Sequence, residues 1–141
     1  MPAHAMNVLG QTEAPLVGGN LAILAHLTGS SSQIDTKDKI LFIEDIGEHV
    51  YQIDRMLYTL QRSGQLSQLK GLLVGSFTDI EDTERPFGQS VQEVIWDKVA
   101  GYGYPVCFNM PCGHQYDNRA LRLGMPYELI VTEEKAVLSS I

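Results

Sequence analysis

Cysteine is scarce: Cys107 and Cys112 are the only two in 141 residues. They lie too close together to close a large loop, so a disulfide framework is set aside in favour of free thiols in a reducing compartment. Basic residues are few as well. Ten Lys and Arg stand against 17 Asp and Glu, a formal charge of −7. That balance argues against a nucleic-acid or anionic-membrane partner, both of which want clustered cations. Apolar runs reach only a few residues, too short for a transmembrane span. The start, Met1-Pro2-Ala3-His4-Ala5-Met6, has neither the basic n-region nor the apolar core of a signal peptide, so the expected location is the cytoplasm. There is no HExxH and no second ligand pair at zinc spacing, no GxGxxG, no Walker lysine and no GxSxG. No repeat, low-complexity tract or linker divides the chain.

What remains is one ordinary globular domain, 44% hydrophobic and 19% charged. A chain of this length buries about 70% of its unfolded surface and needs no metal or disulfide to hold a core. Asn7 to Leu9 and Ala14 to Val17 are short apolar pieces, compatible with two strands or a hairpin. Asn20 is placed to cap a short buried helix over Leu21 to Leu27, with Gly29 after its end. Ile40 to Ile43 is a continuous apolar run of the kind that fills a strand buried on both faces, stopping at Glu44-Asp45. Ile53, Met56, Leu57 and Leu60 form one helical face over Tyr51 to Arg62, closed by Gly64. Leu72 to Val74 is a second buried strand ending at Gly75-Ser76. The acidic stretch after Thr78 is an exposed loop. Ser90, with Glu93 three later, opens a helix to Ala100. Pro105 to Asn109 is a third strand, Pro111 to Asn118 a polar loop, and Leu121 to Leu123, Tyr127 to Thr132 and Ala136 to Ser139 short strands, the last two forming a hairpin. Strands alternating with helices and then a β-rich tail predict an α/β domain with a mixed sheet and flanking helices.

In open α/β sheets ligands sit outside the carboxyl ends of strands. Glu44-Asp45, Ser76 with Asp79, and Gly113-His114 occupy three such ends. A carboxylate at the edge of a low-dielectric interior needs a partner, and a histidine at another strand end is a candidate for it, a pairing that depends on the fold. A carboxylate–imidazole pair is the base half of a hydrolase triad. The plainer alternative is that Glu44 caps a neighbouring helix and His114 satisfies a loop carbonyl. Cys112 and His114 as a Cys–His dyad, or the two cysteines as metal ligands, are outweighed by buried structural thiols. Gly18-Gly19 before the first helix reads as a tight turn. His26 and His49 read as structural or solvated, and Arg55 beside Asp54 as an exposed ion pair. Ser76 is the nearest approach to a nucleophile, yet more naturally ends its strand. A base pair without a nucleophile is half a site.

Three blocks, Leu16-Val17-Gly18-Gly19-Asn20-Leu21, Lys39-Ile40-Leu41-Phe42-Ile43-Glu44-Asp45-Ile46-Gly47-Glu48 and Ile53-Asp54-Arg55-Met56-Leu57, resemble the second half of the LD-carboxypeptidases. These are serine peptidases that include muramoyltetrapeptide carboxypeptidase and the microcin C immunity peptidase. Gly71 to Asp79, Tyr104-Pro105-Val106, Gly113-His114, Asp117-Asn118 and Leu123-Gly124 continue the match in order, over roughly Asn7 to Leu138.

The resemblance implies a C-terminal domain of the swivelling β/β/α type that supplies a Glu and a His. By position these are Glu44 and His114, with Glu48 a competitor that lies further into the loop. Asn20, Asp45, Asp117 and Asn118 are implied as neighbours shaping the site. It implies no metal or organic cofactor. The implied partners are the N-terminal nucleophile domain, which is missing here, and a muropeptide or other peptide substrate. The chain alone is then expected to be inert. It is also expected to expose a surface that the missing domain covers, with a homodimer as one way to conceal it. The alternatives are a binding module that kept the fold without the chemistry, and a domain of a microcin C-type immunity peptidase.

Overall fold

The computed structural model describes residues 1–141. Six strands form one mixed sheet: β1 (Gly10–Asn20), β2 (Ile40–Ile46), β3 (Gly71–Thr78), β4 (Val106–Cys107), β5 (Pro126–Val131) and β6 (Ala136–Ser140). Their order is β4-β3-β2-β1-β5-β6. β1 to β4 run parallel, while β5 pairs antiparallel with both β1 and β6. The helices α1 (Leu21–Leu27), α2 (Val50–Arg62) and α3 (Val91–Val99) are the three crossovers of the parallel part. No helix is long and apolar enough to cross a membrane.

Strand alternation explains the continuous apolar runs. Leu41 and Ile43 of β2, with Leu72 and Val74 of β3, face a cluster built with all three helices, including Leu24, Leu57 and Ile95. Ile40 and Phe42 point the other way, into a second cluster with Leu16, Leu73, Cys107, Cys112 and Leu129. A strand with a core on each face has no position for a polar residue, so the period-two signal vanishes.

The fold is therefore the predicted α/β domain with a mixed sheet and flanking helices, and several boundaries differ from the sequence expectation. Asn7 to Leu9 and Ala14 to Val17 do not form a hairpin. β1 is one long strand whose first half pairs with β5 and whose second half pairs with β2. Val8 instead bridges Val106 of β4, so the lead-in to β1 reaches round to the opposite edge and partly closes the sheet. β2 does not stop at Glu44-Asp45 but continues through Ile46. The strand expected over Pro105 to Asn109 shrinks to Val106–Cys107, because Asn109 takes a positive φ of 59° and turns the chain away. Leu121 to Leu123 form no strand; the backbone there bonds singly to Tyr127 Oη and, through Gly124, to the Leu16 carbonyl. Gly18-Gly19 is no tight turn either. Gly18 lies within β1, where a Cβ would stand 2.0 Å from the Phe42 carbonyl oxygen, so glycine is what lets β1 and β2 approach. Asp54 pairs with the buried Lys98 of α3 at 2.8 Å, while Arg55 lies over the Tyr51 ring at 4.9 Å, replacing the expected Asp54–Arg55 pair.

Candidate active site

Glu44 and Asp45 are adjacent acids on opposite faces of β2. Asp45 turns to the helix side, where it is 1% exposed. Its Oδ1 accepts from Asn20 Nδ2 at 2.7 Å and from the Ile46 amide at 2.9 Å, and its Oδ2 accepts from the Ala22 amide at 3.0 Å. Asn20 Oδ1 in turn accepts the Ile23 amide at 3.1 Å. The two side chains satisfy first-turn N–H groups of α1 that would otherwise be orphaned. They thereby lock the end of β1 to the end of β2, where Asn20 sits opposite Glu44.

Glu44 faces the other side. The β2–β3 register slips between Ile43 and Asp45, placing Gly75 and Ser76 together opposite Glu44. Such a bulge re-aims the side chains at the end of a strand. Here it lets the segment after β4 lie along β3: Met110 N–H donates to the Val74 carbonyl and Ser76 N–H to the Cys112 carbonyl, both at 2.9 Å. Gly75 is required for that approach, since a Cβ there would lie 2.6 Å from the Cys112 oxygen.

This segment carries His114 to Glu44. Nδ1 of His114 lies 2.7 Å from Oε2 of Glu44. With the carboxylate ionised and the imidazole neutral, the shared hydrogen is assigned to Nδ1 and the lone pair to Nε2. The Glu44 side chain is 7% exposed and that of His114 52%. Nε2 has no hydrogen-bond partner within the chain. The His114 carbonyl accepts Thr78 Oγ1 at 2.9 Å, and Asn118 Oδ1 accepts the Gly113 amide at 3.1 Å, so both flanks of the imidazole are anchored. The pair opens into a cleft of about 370 Å³ whose walls include Gly19, Phe42, Asn118 and Leu123. A wider hollow of about 580 Å³, lined by Met1, Leu121, Tyr127 and Leu138 among others, holds no acid–base pair.

Of the sequence-predicted residues, Glu44 and His114 meet directly. Asn118, Asn20 and Asp45 buttress the segments that carry them. Asp117 does not reach the pair: it forms a two-pronged, exposed ion pair with Arg119 at 3.1–3.2 Å. Glu48 sits beyond β2 and makes no side-chain hydrogen bond. Cys112 Sγ donates to the Arg119 carbonyl at 2.7 Å, and burial raises its thiol above the usual range, the opposite of what a thiolate nucleophile needs. His26 is exposed at the end of α1, and His49 stacks on Tyr51. Sequence reasoning named Gly113 and Ser76 at strand ends but missed how tightly the two pack against Glu44. Gly113 adopts φ 107°, and a Cβ there would stand 2.5 Å from Ser76 Oγ and 2.8 Å from Glu44 Oε2. Ser76 Oγ is buried with no partner. The glycine of Gly113-His114 was the available signal, since glycine is the residue that permits a close backbone approach.

A buried carboxylate in contact with a half-exposed imidazole thus lies on a mixed α/β sheet, an arrangement of the carboxylate–imidazole kind. The profile of the LD-carboxypeptidase C-terminal domain matches residues 13–129. The chain belongs to that family, as its C-terminal domain. It is 37% identical over 133 residues to the probable murein peptide carboxypeptidase of Bacillus subtilis, covering 94% of this chain and 42% of that protein. It is 33% identical over 115 residues to the murein tetrapeptide carboxypeptidase of Pseudomonas aeruginosa, covering 81% of this chain and 37% of that one. The crystal structure of the muramoyltetrapeptide carboxypeptidase from Oxalobacter formigenes superposes with a TM-score of 0.88 at 32% identity, over 99% of this chain and 47% of that one. The chain thus spans less than half the length of these relatives.

Proposed function

We infer that this chain supplies the general base of a serine LD-carboxypeptidase, with Glu44 and His114 as its working groups and the nucleophile outside the chain. The observation that carries the reading is the 2.7 Å contact between Nδ1 of His114 and Oε2 of Glu44, with Nε2 left open to the cleft. In the reaction Nε2 takes the proton of an incoming serine hydroxyl as that oxygen attacks the peptide carbonyl. It then returns the proton to the leaving amine of a C-terminal D-amino acid, and water repeats the cycle on the acyl-serine. Glu44 holds the tautomer and stabilises the imidazolium formed in each half-reaction. The substrate class is a peptidoglycan tetrapeptide, cut at the bond to its C-terminal D-residue, in keeping with the murein peptides named for the relatives.

The nucleophile is expected on a separate N-terminal domain. Tyr116, Leu123 and Met125, all exposed on or just after the loop that carries His114, offer that domain apolar surface to cover. The test is release of D-alanine from a muropeptide tetrapeptide by the chain alone, and by the chain together with the N-terminal half of the Bacillus subtilis relative. No turnover alone and turnover in the mixture, abolished by Glu44→Gln or His114→Ala, is the expected result. Turnover by the chain alone, or turnover in the mixture that survives His114→Ala, would overturn it.

A further inference from the structure

We propose that the free edge of β6 is the seam along which an extended segment of the nucleophile-bearing domain enters, running antiparallel to β6 and leading into Met1. This rests on the reading above that such a domain precedes the chain. Four observations carry it.

Met1 already starts the strand. Its amino group donates to the Ala136 carbonyl at 2.7 Å, the Ala136 amide donates to the Met1 carbonyl at 2.9 Å, and Pro2 bridges Lys135 antiparallel. Ala136 thus directs both backbone groups away from β5, whereas Ile141 N–H bonds inward to the Pro126 carbonyl. Outward and inward residues alternate along a strand, so the N–H and C=O of Leu138 and of Ser140 form the unpaired edge. In antiparallel register each step back from Met1 moves one step forward along β6. The second and fourth residues ahead of Met1 therefore fall opposite Leu138 and Ser140.

The edge lacks two of the usual blocks. Ala136 to Ile141 contains no charge and no proline, the devices by which exposed edges are protected from strand addition. The face beside it is unfilled. Met1 points to Cys107 Sγ, 3.8 Å from its own sulfur, and lines the hollow of about 580 Å³ with Tyr127, Ala136 and Leu138. Alternation gives the second and fourth residues ahead of Met1 the same face, so apolar side chains there would lie over that hollow. Lastly, the family relatives are more than twice as long as the segment they share with this chain.

The experiment is amide hydrogen exchange at Leu138 and Ser140, with the inward-bonded Val137 and Ser139 as internal controls. It is run on the 141-residue chain and on its fusion behind the N-terminal half of the Bacillus subtilis relative. The expected result is fast exchange at Leu138 and Ser140 in the chain alone and slowing by ~10-fold or more in the fusion, with the controls slow in both. Unchanged fast exchange in a fusion whose controls are protected would overturn the proposal. So would protection in the chain alone that grows with concentration, since a second copy would then hold the edge. If the controls show that the fusion does not fold, the chain prefixed with Val-Thr-Val-Thr decides: slowing supports the seam, and its absence overturns it. Because exchange is read without substrate, an inactive fusion with protected edge amides would refute the catalytic reading and leave the seam standing.

Discussion

Replacing Gly113 by alanine tests whether the backbone beside the Glu44–His114 pair is as constrained as its geometry implies. Two costs add. Gly113 holds φ 107°, outside the range that an L-residue adopts without strain, which costs roughly 1–2 kcal/mol. The new methyl would also lie 2.5 Å from Ser76 Oγ, 2.8 Å from Glu44 Oε2 and 2.9 Å from Glu44 Cβ. All three belong to buried side chains at the β2–β3 bulge with little room to withdraw, and overpacking of this kind costs about 1–3 kcal/mol. The total is about 2–5 kcal/mol, or a fall of roughly 7–17 °C in Tm for a domain of this size. Gly124→Ala is the control. Gly124 also has a positive φ, 83°, but an added Cβ there meets nothing within 4 Å, so only the backbone strain of about 1 kcal/mol applies. Thermal unfolding of both variants by circular dichroism gives the comparison. Equal losses in the two would refute the claim that Gly113 is pressed against Glu44. A loss at Gly113 with the His114 tautomer unchanged by nitrogen NMR would show that the site yields elsewhere.

The tautomer itself is open to direct measurement: in the wild-type chain Nδ1 of His114 should carry the hydrogen, and Glu44→Ala should shift the population toward Nε2–H; nitrogen shifts already mixed in the wild type would contradict the pairing. Lys98 is 8% exposed, bonded to Asp54 and seated 4.4 Å from the Tyr58 ring centroid. Lys98→Ala should cost about 2–4 kcal/mol in urea unfolding, and a loss below ~1 kcal/mol would place the pair with weak surface bridges. Burial pushes the Cys107 thiol up to about 11. Above the ordinary thiol value of ~8.5 the unfolded chain releases this proton while the folded chain keeps it, so stability falls with rising pH by about 1.4 kcal/mol per unit. The wild type should therefore lose about 2 kcal/mol more than Cys107→Ala between pH 8 and pH 10, and parallel pH curves would show the thiol ionising freely in the fold.

Much of this architecture was legible because local signals agreed with the fold. Asn20 caps α1, and Ser90 with Glu93 forms the capping box of α3. The amphipathic face of α2 buries Ile53, Leu57 and Leu60. The failures share a cause. Glu44 and Asp45 look like a strand end because they are charged, yet each finds its own partner on its own face, so β2 runs on beneath them. A sequence pattern registers polarity but not whether a donor awaits it. The Gly18 approach, the Gly75–Ser76 bulge and the lead-in from Val8 to β4 depend on contacts between segments distant in sequence, and none leaves a local periodicity. Glu44 and His114 were legible as two separate strand-end groups, while their pairing across seventy residues was a matter of topology.

The burial gradient across the pair gives the proposed chemistry a direction. Glu44 lies at the closed end of the cleft and His114 at its mouth, so a proton-transfer partner can reach Nε2 only from outside. The chain's own nucleophilic groups are enclosed: Ser76 Oγ is buried against Gly113, and the Cys112 thiol is engaged by the Arg119 carbonyl. The imidazole is nevertheless already oriented, by Glu44 through Nδ1 and by Thr78 and Asn118 through the backbone on either side. A base held in its working geometry before its partner arrives has its side-chain ordering completed during folding of this domain. On this reading docking has only to bring one hydroxyl within about 3 Å of Nε2. An incoming strand fixed along β6 would act at the opposite side of β1 from β2, constraining the angle of approach while leaving the Glu44–His114 geometry untouched. Weakening that seam should then lower turnover without shifting the His114 tautomer, whereas substitutions at Thr78 or Asn118 should disturb the tautomer whether or not the second domain is present.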